Sequence, residues 1–205
     1  MGLGMRAKKI ISVREQIADA LRSDIISGDL APNTKLNEHQ LAERFGVSRG
    51  PVRDVILKLT KEGLLISKDN VGSSVNSPLT PDMQKLSIAL RKKIEEFAAK
   101  QLIETVTDQE LDHLDSLIAK MEELFEAGEF TELTKTDIAF HQYYVELGGG
   151  DSLLNIWYPI VIRMRMNYHR IKNADKLVDE HTDIVNAFRA RDYKAAVEAI
   201  RKNIK

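Results

Sequence analysis

The chain has 205 residues, 43% hydrophobic and 30% charged, with a formal net charge of −1. That length allows one large domain or two small ones, and the mix is that of an ordinary globular protein. It holds no cysteine, which excludes disulfides and thiolate metal sites and leads us to expect a reducing, cytoplasmic setting. No apolar run approaches the ~20 residues of a membrane span, so no membrane association is expected. The opening "MGLGMRAKK" lacks the apolar core of a signal peptide, and Met5 after "MGLG" raises the question whether the first residues are native. Charge is unevenly spread: residues 1–78 carry net +3 and residues 79–205 net −4. A basic head on an acidic body suits a DNA-binding module attached to one that does not bind DNA.

In chain order, "ISVREQIADALRSDIISGDL" spaces Val13, Ile17, Leu21 and Ile25 as the inner face of a helix that Gly28 stops. "APNTKL" reads as a turn. Asn37 with Gln40 three residues on reads as an N-cap, opening a short helix with Leu41, Ala42 and Phe45 inside. Gly46 ends that helix and Ser48 caps the next, whose inner face is Val52, Ile56 and Leu59 and whose end is Gly63. "LLISKDNVGSSVNS" reads as two short strands about a "DNVG" turn. Three helices and a hairpin make a winged helix-turn-helix over residues 8–77. A linker at 78–82 follows, marked by Pro78 and Pro81.

From residue 83 to 205 every segment reads as helix, and the fold class is mostly α, with a bundle of about six helices. The first carries Leu86, Leu90, Ile94 and Phe97 inward. The second opens with the capping box Thr107/Glu110 and turns Leu111, Leu114, Ile118, Met121 and Phe125 inward. A third spans about 131–147 and stops at "GGG". A fourth, about 152–169, should kink or break at Pro159. The fifth covers about 175–189, and Asp192 caps the sixth.

Within the head, "SRGPVRD" places Arg49 and Arg53 one turn apart at the start of a helix, where the helix dipole is already positive. An anionic partner explains that arrangement. A recognition helix puts its N-terminal residues against base edges in the major groove, and arginine reads guanine through O6 and N7. The Ser48 hydroxyl and the free first-turn N–H groups suit a phosphate, and Pro51 fits a first turn because its missing N–H would be unpaired there.

These residues carry a resemblance. "KLNEHQLAERFGVSRGPVRDVILKLTKEGLLISKDNVGSSV" resembles the DNA-binding domain of GntR-family transcription regulators. It agrees with their pattern at Leu36, Leu41, Ala42, Gly46, Val47, Ser48, Arg49, Pro51, Val52, Arg53, Leu59, Glu62, Gly63, Leu64, Gly72 and Val75. It departs at Gln40 and at Val55-Ile56. The resemblance implies DNA contacts from Ser48, Arg49 and Arg53, with Pro51 and His39 beside them, and a wing tip around Asn70 and Gly72 in the minor groove.

In the bundle, Asp137 and His141 stand i, i+4 on a stripe with Leu133, Phe140 and Tyr144, and His181 shares an inner face with Leu177, Ile184 and Phe188. A buried carboxylate costs several kcal/mol unless paired or bound to a metal, so either an Asp–His hydrogen bond or a metal site is expected. This half resembles the all-helical FCD effector domain of the FadR subfamily, through Arg91, "DIAFH" at 137–141 and Glu180-His181. Asn203 stands where that family has a closing histidine. The resemblance implies a divalent metal (zinc, nickel or manganese) on Asp137, His141 and His181 with Asn203 in the fourth place. It also implies a small carboxylate effector met by Arg91. With one imidazole fewer, a harder ion such as manganese gains ground. The function expected is a ligand-responsive repressor reading a pseudo-palindromic operator as a homodimer, and not an enzyme. The competing readings are a metal enzyme with two histidines and a carboxylate, and a DNA-binding protein with an inert bundle.

Overall fold

The computed structural model describes residues 11–68, 72–166 and 174–205. Its contacts divide the chain into two compact units, Met1–Ser77 and Pro78–Lys205.

In the first unit, helix α1 (Val13–Ser27) starts on the Ser12 hydroxyl and ends at Gly28, whose φ of 88° only glycine adopts without cost. Strand β1 (Lys35–Leu36) and helix α2 (Glu38–Phe45) follow, then helix α3 (Arg49–Lys61) and strands β2 (Leu65–Lys68) and β3 (Gly72–Val75). The Asn37 side chain caps α2 by accepting from the backbone N–H of His39 and Gln40. Ile17, Leu21, Ile25, Leu41, Val52, Ile56 and Leu59 form one core, while Val13, expected inside, is exposed at the first position of α1. Arg22 is buried in that core and forks onto Glu62 at the end of α3, at 2.8 and 2.7 Å. It thereby clamps α1 to α3. The sheet has three strands in the order β1-β3-β2, all antiparallel, rather than the expected two-stranded hairpin. Lys35 and Leu36 pair with Ser74 and Ser73. Two residues are too few to show an alternating pattern, so nothing in the "APNTKL" segment announces the third strand.

The second unit is built from α4 (Pro81–Leu102), α5 (Asp108–Glu126), α6 (Phe130–Arg165), α7 (Ala174–Arg189) and α8 (Tyr193–Asn203). The capping box Thr107/Glu110 is formed. The long α6 segment is two rods joined at Gly150 (φ 60°, ψ −163°), and Pro159 lies inside the second rod. The chain therefore breaks within the glycine run, where a helix end was expected, while the further kink expected at Pro159 is not formed. Proline's fixed φ is compatible with a helix, at the cost of one hydrogen bond, whereas a left-handed φ is not.

The glycine run also does not stop the helix at its first member. Gly148 remains helical because α4 crosses there: a Cβ at Gly148 would lie 2.4 Å from the Ala98 carbonyl oxygen. Its missing side chain lets the two helices touch backbone to backbone.

The inner face of α4 corrects the sequence reading. Leu86, Leu90 and Phe97, expected inside, are 50%, 45% and 50% exposed, and Ile94 is only half-buried. The buried face carries Ser87, Arg91, Glu95, Glu96, Ala98, Ala99 and Leu102. Amphipathic reasoning assigns the apolar stripe to the core. Here the polar stripe goes inside because buried partners on other helices satisfy it.

Gly148→Ala should lower stability by about 1–3 kcal/mol in urea denaturation, the usual range for overpacking. Gly50→Ala, where nothing lies within 4 Å of the added methyl, should be neutral or slightly stabilising. Equal denaturation midpoints for Gly148→Ala and wild type would show that the α4–α6 contact yields.

Candidate functional site

In the head, α3 presents Arg49, Gly50 and Arg53 to solvent, with Pro51 half-buried in its first turn. Val52, Val55, Ile56 and Leu59 anchor the opposite side, so the arginines stand on a rigid face. Ser48 occupies the N-cap position, but its hydroxyl makes no capping hydrogen bond. That differs from the expected cap and leaves the hydroxyl and the first-turn N–H groups together at the helix start. Arg53 forks onto Glu38, Nε to Oε1 at 3.3 Å and Nη2 to Oε2 at 3.0 Å. The guanidinium holds the Glu38 carboxyl below its ordinary range. His39 is exposed, with Nδ1 3.4 Å from Glu43. Gly72 is exposed with φ 88° at the start of β3. Asn70, with Asp69 and Val71 of the "DNVG" turn, lies outside the described residues.

In the bundle, Asp137 and His141 of α6 and His181 of α7 are buried together, each with a ligand atom within 4.8 Å of the others. The first rod of α6 places Leu133, Asp137, Phe140, His141 and Tyr144 inward, as the periodicity predicts, and α7 does the same with Leu177, His181, Ile184 and Phe188. His181 Nδ1 lies 2.7 Å from the Leu177 carbonyl oxygen. A carbonyl can only accept, so Nδ1 carries the proton and Nε2 carries the lone pair. His141 Nδ1 lies 2.8 Å from Glu95 Oε2 and 3.0 Å from the Tyr144 hydroxyl.

Burial raises the Glu95 carboxyl, but Arg91 and His141, with the hydrogen bonds of His141 and Tyr144, outweigh it and hold the group ionised. The His141 Nδ1 therefore donates as well. Burial pushes both imidazoles down to about 4, which makes them neutral near pH 7. Their Nε2 atoms are buried and make no hydrogen bond. His181 Nε2 stands 3.2 Å from Asp137 Oδ1. Two neutral lone pairs without hydrogen-bond partners, converging with a carboxylate oxygen, fit a divalent cation. The protons on the far nitrogens set the tautomer that metal ligation needs. Asp137 is itself braced, because Arg165 donates to its other oxygen.

Two residues stand differently from expectation. Asn203 is half-buried, with its amide 3.4 Å from His181 Nδ1, the nitrogen turned away from Asp137. It contacts the ring on its hydrogen-bonding side, not alongside the free Nε2. Arg91 is 2% exposed and donates from Nε to Glu95 Oε1 at 2.7 Å. Glu95 was not anticipated at all. It binds Arg91, His141, Tyr144 and the Trp157 indole N–H, the last at 2.7 Å. Only its i, i+4 spacing from Arg91 could have marked it, and that spacing usually denotes a solvated ion pair. Arg165 gave no signal either, since its partner lies 28 residues away.

The comparisons with known proteins agree with this division. Residues 13–75 match the family described as bacterial regulatory proteins, gntR family, and residues 87–205 match the FCD domain. The chain is similar to the HTH-type transcriptional repressor RspR of Escherichia coli K12, 26% identical over 196 residues that cover 94% of this chain and 86% of that protein. It is also similar to the gluconate operon transcriptional repressor of Bacillus licheniformis, 23% identical over 197 residues, covering 92% and 80%. Among solved structures, Escherichia coli McbR/YncC shares the fold with a TM-score of 0.82 over 95% of this chain and 94% of that one, at 19% identity. A GntR transcriptional regulator from Rhodococcus follows at 0.74 over 95% and 94%, at 22% identity. The chain belongs to the GntR family of bacterial regulatory proteins, with an FCD domain as its helical half, and it is a transcription regulator, not an enzyme.

Proposed function

We propose that this regulator represses transcription by binding a pseudo-palindromic operator as a homodimer, and that a small carboxylate effector bound at a divalent metal in the helical unit controls it. It would act in the cytoplasm, where its operator is, and no helix among the described residues is long and apolar enough to cross a membrane. The observation that carries the reading is the exposed N-terminal part of α3, with two arginines one turn apart on a face whose opposite side is locked into the core. Arg49 and Arg53 are the base readers, and Ser48 with the first-turn N–H groups takes a phosphate. Pro51 fixes that turn. His39, Gly72 and Asn70 serve as flanking contacts. Arg49→Ala and Arg53→Ala should each cost about 1–3 kcal/mol on an operator selected by the wild-type protein from random duplexes, with little change on scrambled DNA. Wild-type binding by both variants would remove α3 as the reading helix.

In the helical unit, Asp137, His141 and His181 would hold the metal, with Glu95, the Leu177 carbonyl and Arg165 orienting them. When bound, the ion supplies a Lewis-acidic point to which an effector carboxylate can attach. Water or the effector fills the remaining positions, since Asn203 stands beside Nδ1 of His181 and not beside its Nε2. Two imidazoles and one carboxylate accept zinc, nickel or manganese, and the missing third imidazole favours a harder ion. Arg91, joined to the cluster through Glu95, adds positive charge toward an anionic effector. Elemental analysis after incubation with each metal should find one ion per chain, lost in His141→Ala and His181→Ala. No stoichiometric metal under any of these conditions would leave the cluster as a hydrogen-bonded core.

The homodimer is supported by the outward stripe of α4. Met83, Leu86, Leu90 and Phe97 are 45–50% exposed on one face, an apolar patch that a lone chain leaves in water. The stripe is symmetric about Leu90, with Met83 and Phe97 seven residues to either side. A second copy of α4 laid antiparallel would set Met83 against the partner's Phe97, Leu90 on the two-fold axis, and Asp82 near the partner's Lys100. A parallel pair would instead face like charges. Because the chain has no cysteine, single replacements test this directly. Leu90→Cys should cross-link to itself, whereas Met83→Cys should cross-link only when mixed with Phe97→Cys. Self-cross-linking of Met83→Cys, or a monomer by sedimentation, would reject the antiparallel pair.

A further inference from the structure

A guanidinium has two planar edges that can each make a pair of parallel hydrogen bonds: a side edge from Nε and Nη2, and an end edge from Nη1 and Nη2. In α3 the side edge of Arg53 is taken. Glu38, the first residue of α2, receives Nε at 3.3 Å and Nη2 at 3.0 Å. No other hydrogen bond of Arg53 is present among the described residues, so its end edge faces outward. The two side chains are 63% and 35% exposed, respectively. A solvated ion pair of this kind adds little to stability, so folding alone gives little reason for it. Its geometric consequence is larger. An arginine side chain loses considerable rotamer freedom when it docks on a base, and a carboxylate that fixes it beforehand removes part of that loss.

We propose that Glu38 is a positioning residue for DNA reading, holding the side edge of Arg53 so that its end edge meets guanine O6 and N7. This rests on the assignment of α3 as the reading helix. Glu38 contributes in a second way. Its negative charge lies where α2 and α3 approach the duplex, so it opposes indiscriminate attraction of Arg53 to phosphates. An unbraced Arg53 would swing to the nearest phosphate and raise affinity for any sequence. The braced one is held in the orientation that suits a base edge. Glu38 therefore trades affinity for selectivity, and this sign separates it from a residue that merely supports the fold. The N-cap of α2 is Asn37, so replacing Glu38 leaves the cap intact.

The test uses the full chain and two fluorescent duplexes: one carrying the sequence that wild type enriches from a random library, and one scrambled to the same composition. Glu38→Gln should lower the ratio of specific to scrambled affinity by at least fivefold, while affinity for the scrambled duplex stays level or rises. In an Arg53→Ala background the same change should have no further effect on the ratio, since Glu38 acts through that arginine. If Arg53→Ala lowers the ratio and Glu38→Gln leaves it within twofold, the positioning role is wrong although the reading helix stands. Equal losses on both duplexes in Glu38→Gln, or a fallen melting temperature, would make the residue structural and overturn the proposal. If Arg53→Ala itself changes nothing, the reading-helix assignment and the proposal fall together.

Discussion

The helical unit depends on a carboxylate that has no access to water. Glu95 is 0% exposed, and an unpaired charge at such a depth costs several kcal/mol. Four donors from two helices meet it: Arg91 one turn earlier on α4, and His141, Tyr144 and Trp157 on α6. The pairing explains why α4 turns its polar stripe inward. It also fixes the His141 ring with its free nitrogen toward Asp137. Removing Arg91 would leave the carboxylate charge uncompensated, and removing one of the neutral donors would leave it short of a hydrogen bond, so the members of the network depend on one another.

The same inversion accounts for the outer surface. A helix that spends its polar face on buried partners has only its apolar face left for the outside. Met83, Leu86, Leu90 and Phe97 are therefore exposed by the same choice that buries Arg91 and Glu95. One helix thus links the cluster inside to the surface proposed for pairing with a second copy, and a ligand that moved Arg91 would act on the helix that carries this surface. The head obeys a different economy. Its two reading arginines stay in solvent on a short helix whose other side is apolar, while the buried Arg22 clamps α1 to α3 through Glu62.

Asp137 and His141 at i, i+4, and His181 on its own stripe, were legible because helical periodicity assigns faces without knowledge of neighbours. All three are inside. The same rule failed on α4. Its apolar positions satisfy the core pattern as well as any helix in the chain, and nothing local shows that the polar positions have buried partners 46 to 62 residues away. Glu38 was passed over for a related reason: its partner Arg53 lies 15 residues on, across a turn.

The sequence by itself determined the order and type of the helices and of the hairpin, the caps at Asn37 and Thr107, the arginines one turn apart at the start of α3, and which acids and histidines share helical faces. These are properties of spacing along a few turns, set by local geometry. Tertiary structure decided the third strand at Lys35–Leu36, the helix that runs unbroken through Pro159, the outward stripe of α4, and the side of His181 on which Asn203 stands. Each of these depends on which distant backbone or side chain comes close. A helix pattern says which residues lie together, but the partner across the core decides which face is turned toward it.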